Sequence, residues 1–400
     1  MENNRVLPRP RYIAHIAPFI GKDIIKVIVG QRRVGKSFFL QHLRDHVHAV
    51  DPKSRILYIN KELDEFASLV TGADLLSYVK KNKGTSRTTC LFIDEVQEIY
   101  GFARALRSLL ARGGFDIYCT GSNASLLSRE IAESLGGRSI EVPVYSLSYE
   151  EFLSFHSLHD SDESLRLFLA YGGLPYLIHL SLTDEVVYEY LRNVYNTILF
   201  KDVLARNRIR NVNFLERLVR YLADNTGSMV SSKRISDFLK AQHIAMSPGI
   251  VLSYLSHLEA AFFAIRVPRA DIQGKRIFEI GEKFYFEDLG LRHALIGYRQ
   301  RDIGKIVENA VCLKLLQSGY SVSTGRLGER EIDFICAKGG EKLYVQVAYL
   351  IADEKTRRRE FGNLLSVKDN HPKIVVSMDP VTADEEGIRH IGLRKFLKSF

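Results

Sequence analysis

The chain has only four cysteines in 400 residues, Cys90, Cys119, Cys312 and Cys336, and no two of them form a CxxC pair. Each is flanked by apolar or small residues, the setting of a buried free thiol. A disulfide scaffold and a cysteine-built zinc site are therefore not expected, and a reducing cytoplasm is the simplest setting. No uninterrupted apolar run approaches the ~20 residues needed to span a bilayer. The opening stretch, MENNRVLPRPRYI, has no apolar signal-peptide core. A soluble, cytoplasmic protein without a membrane partner is expected. There is also no internal repeat and no low-complexity tract.

What is present is the balance of a globular protein, 46% hydrophobic and 26% charged residues. The length suggests about two to three domains. The net charge of +9 points toward a polyanionic partner such as nucleic acid. The charge is uneven. Residues 201–280 hold thirteen Lys/Arg against seven Asp/Glu, a net of +6 in a fifth of the chain. Solvated basic surfaces are also common, so the segment is a pointer rather than a site.

From residue 25 to about 142, apolar strand-like runs (IIKVIVG, RILYIN, TTCLFID, FDIYCTG) alternate with amphipathic stretches. That pattern predicts an α/β fold with a parallel sheet covered on both faces. Within it, Gly30-Gln31-Arg32-Arg33-Val34-Gly35-Lys36-Ser37 satisfies G-x-x-x-x-G-K-S/T at every fixed position. A glycine-permitted loop turns its N–H groups inward around a β-phosphate, and the following helix adds its dipole. Lys36 reaches the β- and γ-phosphates, and Ser37 offers its hydroxyl to magnesium. The candidate nucleotide-binding set is Gly30, Arg33, Val34, Gly35, Lys36, Ser37 and Phe38.

A second motif, CLFIDEVQEI, ends an apolar run in Asp94-Glu95, which places two acids at the carboxyl edge of the sheet. Asp94 would hold magnesium through water and Glu95 would deprotonate the attacking water. The next strand ends IYCTGSNASLL. There Ser122 or Asn123 could touch the γ-phosphate or the water, or could equally serve as a helix N-cap. Arg129 and Arg138 could stabilise charge on a neighbouring subunit's nucleotide, or could be ordinary surface arginines.

Together, GQRRVGKS, LFIDEVQ, TGSNASLLSREIAESLGGRS, SYEEFL, YGGLPYLI, LFKDVLARN, VENAVCLKLLQSGY and EIDFICAKGGEKLYVQVAYLI resemble the large prokaryotic family of AAA-like P-loop ATPases with an additional C-terminal region. The resemblance spans about residues 20–380. It implies an oligomeric ATPase, a hexamer or smaller, that uses ATP and Mg2+. Adenine rather than guanine rests on this resemblance, since no N-K-x-D motif is present. Gly173-Leu174-Pro175 is similar to the Gly-x-Pro element of related signal-transduction ATPases, which implies packing of Pro175 on adenine. A plain turn between helices explains the same residues.

Residues 213–285 read as three helices followed by two strands, the order of a winged helix. Its candidate DNA contacts are Lys233, Arg234, Ser247, Arg266, Arg269, Lys275 and Arg276. The third helix is short of basic residues, which favours phosphate contact over base readout. The last hundred residues resemble a restriction-endonuclease-type fold, whose acids bind a metal and whose strand lysine polarises water. Glu308 and Asp333 occupy acid positions, but Gln346-Val347-Ala348 replaces Glu-x-Lys, so a degenerate site kept for binding is expected.

The expected organisation is a P-loop ATPase core over 1–147, a helical lid over 148–210, a winged helix over 211–297 and a degenerate nuclease-like α/β domain over 298–400. The leading expectation is ATP hydrolysis coupled to binding or remodelling of duplex or branched DNA. The alternatives are a nucleotide-controlled switch acting on protein partners and an ATP-dependent nuclease.

Overall fold

The computed structural model describes residues 7–122, 136–207, 209, 211–241, 244, 246–271, 281–328 and 330–399. Two compact units divide the chain. The first comprises residues 1–145 and 260–262, and the second comprises 146–259 and 263–400.

The first unit opens with α1 (Pro10–Ile16), which has proline in its first turn. β1 (Ile25–Val29) follows, buried along its whole length. α2 (Lys36–Val50) packs Phe39, Leu40, Leu43 and Val47 inward. After β2 (Arg55–Asn60), Thr71 and Asp74 form a reciprocal capping box that starts α3 (Gly72–Asn82). β3 (Thr89–Asp94), α4 (Phe102–Arg112), β4 (Phe115–Gly121) and β5 (Ser139–Pro143) complete the unit. The strands form a parallel sheet in the order β2-β3-β4-β1-β5. Continuous Ile, Val and Leu runs suit such strands because helices cover both faces. Insertion of β4 between β1 and β3 brings three strand ends to one edge, where ligands of open α/β sheets bind.

The second unit begins with helices where the sequence reads as helical. α5 (Tyr149–His156) has a Ser148/Glu151 capping box, and α6 (Asp162–Tyr171) and α7 (Asp184–Thr197) follow. α7 widens into a π-helical stretch at Ile198–Ala205. Next come α8 (Val212–Asp224), β6 (Met229–Val230), α9 (Ser232–Ala241), α10 (Pro248–Ala260), and the antiparallel pair β7 (Ala264–Asp271) and β8 (Glu282–Phe286). Residues 272–280, between these two strands, lie outside the described ones.

α11 (Leu289–Ile296) and α12 (Ile303–Gln317) lead into β9 (Ser321–Leu327), β10 (Arg330–Lys338) and β11 (Glu341–Val347). α13 (Glu354–Leu365), β12 (Lys373–Ser377), β13 (Arg389–Gly392) and α14 (Leu393–Ser399) end the unit. β7 pairs in parallel with β9, so one sheet runs β13-β12-β11-β10-β9-β7-β8-β6. The expected boundary at 297/298 thus falls inside one compact unit, with a sheet running across it.

The second unit's core includes Phe152, Phe168, Tyr285, Val311, Phe334 and Phe396. A deep polar group also holds it together. Asp288 caps α11 at Leu291 N and accepts from Gly173 N at 2.7 Å. Burial pushes the Asp288 carboxyl up to about 6, against the pull of these backbone donors.

Candidate nucleotide site

β1 delivers the chain into the loop Gly30–Gly35, and the loop's shape depends on backbone freedom. Gly30 has φ +152°, and a Cβ there would stand 2.2 Å from Val144 O. No side chain fits. Gly35, at φ +92°, is the N-cap of α2, and Arg33 also takes positive φ. Val34 is wholly buried beneath the loop, whereas Arg33 and Phe38 are exposed.

Lys36 is 5% exposed, and its ammonium donates to Gly30 O at 2.9 Å and Gln31 O at 2.8 Å. The charge is therefore held within the loop, at the helix N-terminus where a phosphate would be received. The Ser37 hydroxyl lies near Asp94 at the end of β3. Asp94 is fully buried; its Oδ1 accepts from Thr120 Oγ1, while Oδ2 has no hydrogen-bond partner. Burial raises the Asp94 carboxyl above its ordinary range, and the Thr120 hydrogen bond, the nearby Ser37 hydroxyl and the Lys36 charge oppose the rise. An unpartnered carboxylate oxygen beside a serine hydroxyl is a hard oxygen set of the kind magnesium takes.

Glu95 stands at φ +54°, ψ +53°, a left-handed conformation for a non-glycine residue at the strand end. Its N–H donates to Thr120 Oγ1 at 2.9 Å. Its Oε2 accepts from Gln97 Nε2 and from Ser122 Oγ, the latter at 3.4 Å. Ser122 thus lies on the Glu95 carboxylate. Asn123 and Arg129 lie outside the described residues.

Arg138 is exposed, and its carbonyl accepts from Ile25 N at 2.9 Å. It sits at the end of β1 opposite the phosphate loop. Pro175 begins a 3-10 turn in the second unit.

Three further residues join the site without an announcing motif. Thr120 links both acids, Gln97 grips Glu95, and Arg9 braces the loop. Arg9 is 4% exposed, donates to Val34 O at 3.2 Å and Tyr145 O at 2.9 Å, and lies 4.7 Å from the centre of the Tyr12 ring. The cluster RPRY near the chain start was the available signal. The two carbonyls it holds, of Val34 and Tyr145, are more than twenty residues away, where no local pattern reaches.

In the second unit, Lys233 and Arg234 are exposed in the first turn of α9, and Arg234 Nη1 reaches Met229 O at 3.3 Å. Ser247 Oγ accepts from Ile250 N, an N-cap bond on α10. Arg266 forms ion pairs with Glu259 at 3.4 Å and Glu282 at 3.2 Å, which compensate its charge. Arg269 is half-buried on β7. Lys275 and Arg276 lie outside the described residues. Among the described residues, no helix is long and apolar enough to cross a membrane.

The fold and the loop define a P-loop protein of the AAA type, and residues 22–153 match the family described as AAA domain. Residues 162–302 match a domain of unknown function. The chain is 34% identical over 379 residues to an uncharacterized protein of Haemophilus influenzae, covering 93% of each chain. It belongs to the same family as that protein. A second relative, an uncharacterized protein of Methanocaldococcus jannaschii, is 29% identical over 405 residues, covering 95% of this chain and 88% of the relative.

Among solved structures, a Walker-type ATPase of Pyrococcus abyssi aligns with TM-score 0.48 and 16% identity, over 72% of this chain and 94% of that one. The Aeropyrum pernix ORC1 protein in complex with DNA aligns with TM-score 0.32 and 12% identity, over 74% and 94%.

Proposed function

We propose that the first unit binds ATP with a magnesium ion and hydrolyses it, and that the cycle acts on DNA. The reading rests above all on one arrangement: Lys36, Ser37, Asp94, Glu95 and Thr120 meet at a single sheet edge. Lys36 and the loop N–H groups hold the phosphates, and Glu95 takes the proton of the attacking water. Magnesium, resting on Ser37 and Asp94, would neutralise charge on the terminal phosphates. Gln97 and Ser122 fix where the Glu95 carboxylate points. Subunit assembly, with an arginine such as Arg129 or Arg138 acting on a neighbour's nucleotide, is part of this reading.

The net of +6 over residues 201–280 and the exposed Lys233 and Arg234 support DNA as the partner. The test is ATP turnover alone and with single-stranded, duplex or four-way-junction DNA, against a Lys36→Ala control. We expect one DNA form to stimulate turnover several-fold and the control to be inactive with all of them. DNA affinity should fall steeply with salt, because phosphate contacts release counterions. A flat salt response would sink the DNA reading.

One observation favours a second reading, a switch that acts on a protein partner. α10 carries no Lys or Arg, and it exposes Ile250 at 43% and Leu252 at 46%. Turnover indifferent to every DNA form would support it.

A further inference from the structure

The restriction-endonuclease-type fold implies a metal centre in the second unit, and the acids expected of it do come together. Phe334 pairs with Val345 in the β10–β11 ladder, so Asp333 stands directly opposite Gln346. Asp333 N donates to Gln346 Oε1 at 3.4 Å, and Asp333 Oδ2 accepts from Val347 N at 2.9 Å. Glu308 approaches from α12.

The centre of the cluster is a lysine that the strand motif does not contain. Lys283, on β8, is 3% exposed, and its Nζ lies 2.9 Å from Glu308 Oε1, 2.7 Å from Glu331 Oε1 and 3.5 Å from Asp333 Oδ1. Tyr285, two residues along the same face, donates to Glu308 Oε1 at 2.7 Å. An ammonium has three protons, and three carboxylates surround this one. Burial lowers the Lys283 pKa, but Asp333, Glu308 and Glu331 outweigh it and hold the group above its ordinary range.

A divalent metal does not fit this donor set. Glu308 Oε1 already serves Lys283 and Tyr285, and both Asp333 oxygens and Gln346 Oε1 are engaged. Glu360 Oε2 is buried without a hydrogen-bond partner, but the other oxygen of that carboxylate is bound to Arg359. Among the described residues, no three acidic, histidine or cysteine side chains are placed to hold a metal ion. The oxygens point at an ammonium rather than at a shared vacancy.

We propose that Lys283 is the resident cation of this pocket: its ammonium takes the place of a divalent metal and ties β8 to α12 and β10. The pocket then has no centre for phosphodiester cleavage, and its acids serve the packing of the sheet. This differs from simple decay of a nuclease site, in which the acids would lose their reason to converge. Burying an ammonium is costly unless its partners compensate, and here three carboxylates do so together.

The experiment measures Mn2+ binding to the nucleotide-free chain by electron paramagnetic resonance, for the wild type, Asp333→Asn, Lys283→Met and the Lys283→Met/Asp333→Asn double variant. Comparison across Asp333 subtracts any Mn2+ at the nucleotide site. The wild type and Asp333→Asn should take up equal Mn2+. Lys283→Met should gain a bound ion that the double variant loses, and its lowered unfolding midpoint should recover with Mn2+.

Asp333-dependent Mn2+ binding by the wild type would overturn the proposal, as would Asp333-dependent nicking of DNA in Mn2+. So would a folded Lys283→Met chain that gains no ion. If Lys283→Met does not fold, the wild type and Asp333→Asn still decide the matter between them. The outcome is independent of the ATPase reading, because no nucleotide is present.

Discussion

Replacing Glu95 with glutamine should leave nucleotide binding nearly unchanged and lower ATP turnover by about 100- to 10,000-fold, the usual worth of a positioned general base. The expectation follows from where the residue sits. In the proposed site the phosphate and magnesium contacts fall to Asp94, Ser37 and Lys36, whereas the hydrogen bonds of the Glu95 carboxylate go to Gln97 and Ser122. Glutamine keeps the size and can still meet Gln97 and Ser122, but it cannot accept the proton of water. Phosphate release and equilibrium binding of a fluorescent ATP analogue, measured on the same preparation, separate the two effects. Equal losses in both would mean that Glu95 shapes the pocket rather than the reaction.

The second large effect is on stability and lies at the opposite end of the same sheet. Lys26 on β1 is wholly buried and forms an ion pair with Asp116 on β4. Its Nζ also donates to Lys22 O at 3.2 Å and lies 4.9 Å from the centre of the Tyr118 ring. Asp116 Oδ2 accepts from Gly21 N at 2.9 Å and from Tyr118 OH at 2.7 Å. Lys26→Met strands a buried carboxylate, and breaking such a pair costs about 3–5 kcal/mol. Lys26→Met/Asp116→Asn removes both charges and should recover a large part of that loss. Denaturant unfolding of the wild type, the two single variants and the double variant gives the coupling directly. Additive losses would show that the two charges do not depend on each other.

The sequence made the phosphate loop and the acid pair legible because each is a short pattern with fixed spacing, set between a strand run and a helix run. Gly30, Lys36, Ser37, Asp94 and Glu95 could be named before their positions were known. Thr120 could not, because a threonine near a strand end is ordinary until β4 is seen between β1 and β3. Sheet order is a tertiary fact, and no periodicity encodes it. The same limit hid Lys283. The tail region by itself has no lysine at Ala348, because the cation comes from β8, 65 residues earlier in the chain. The helices of residues 149–260 were visible from their caps and apolar spacing. The join between β7 and β9 was not, since parallel neighbours need no contiguous sequence signal.

That join bears on how far the molecule can be divided. The β7–β8 pair and the tail look like two modules in sequence, and a cut near residue 297 follows that division. Such a cut would remove the three carboxylates that neutralise Lys283, leaving its ammonium without counter-charges. It would also open the outer edge of β7, a row of unpaired backbone groups ready to template aggregation. The two stretches therefore share one solubility and should be expressed as one piece.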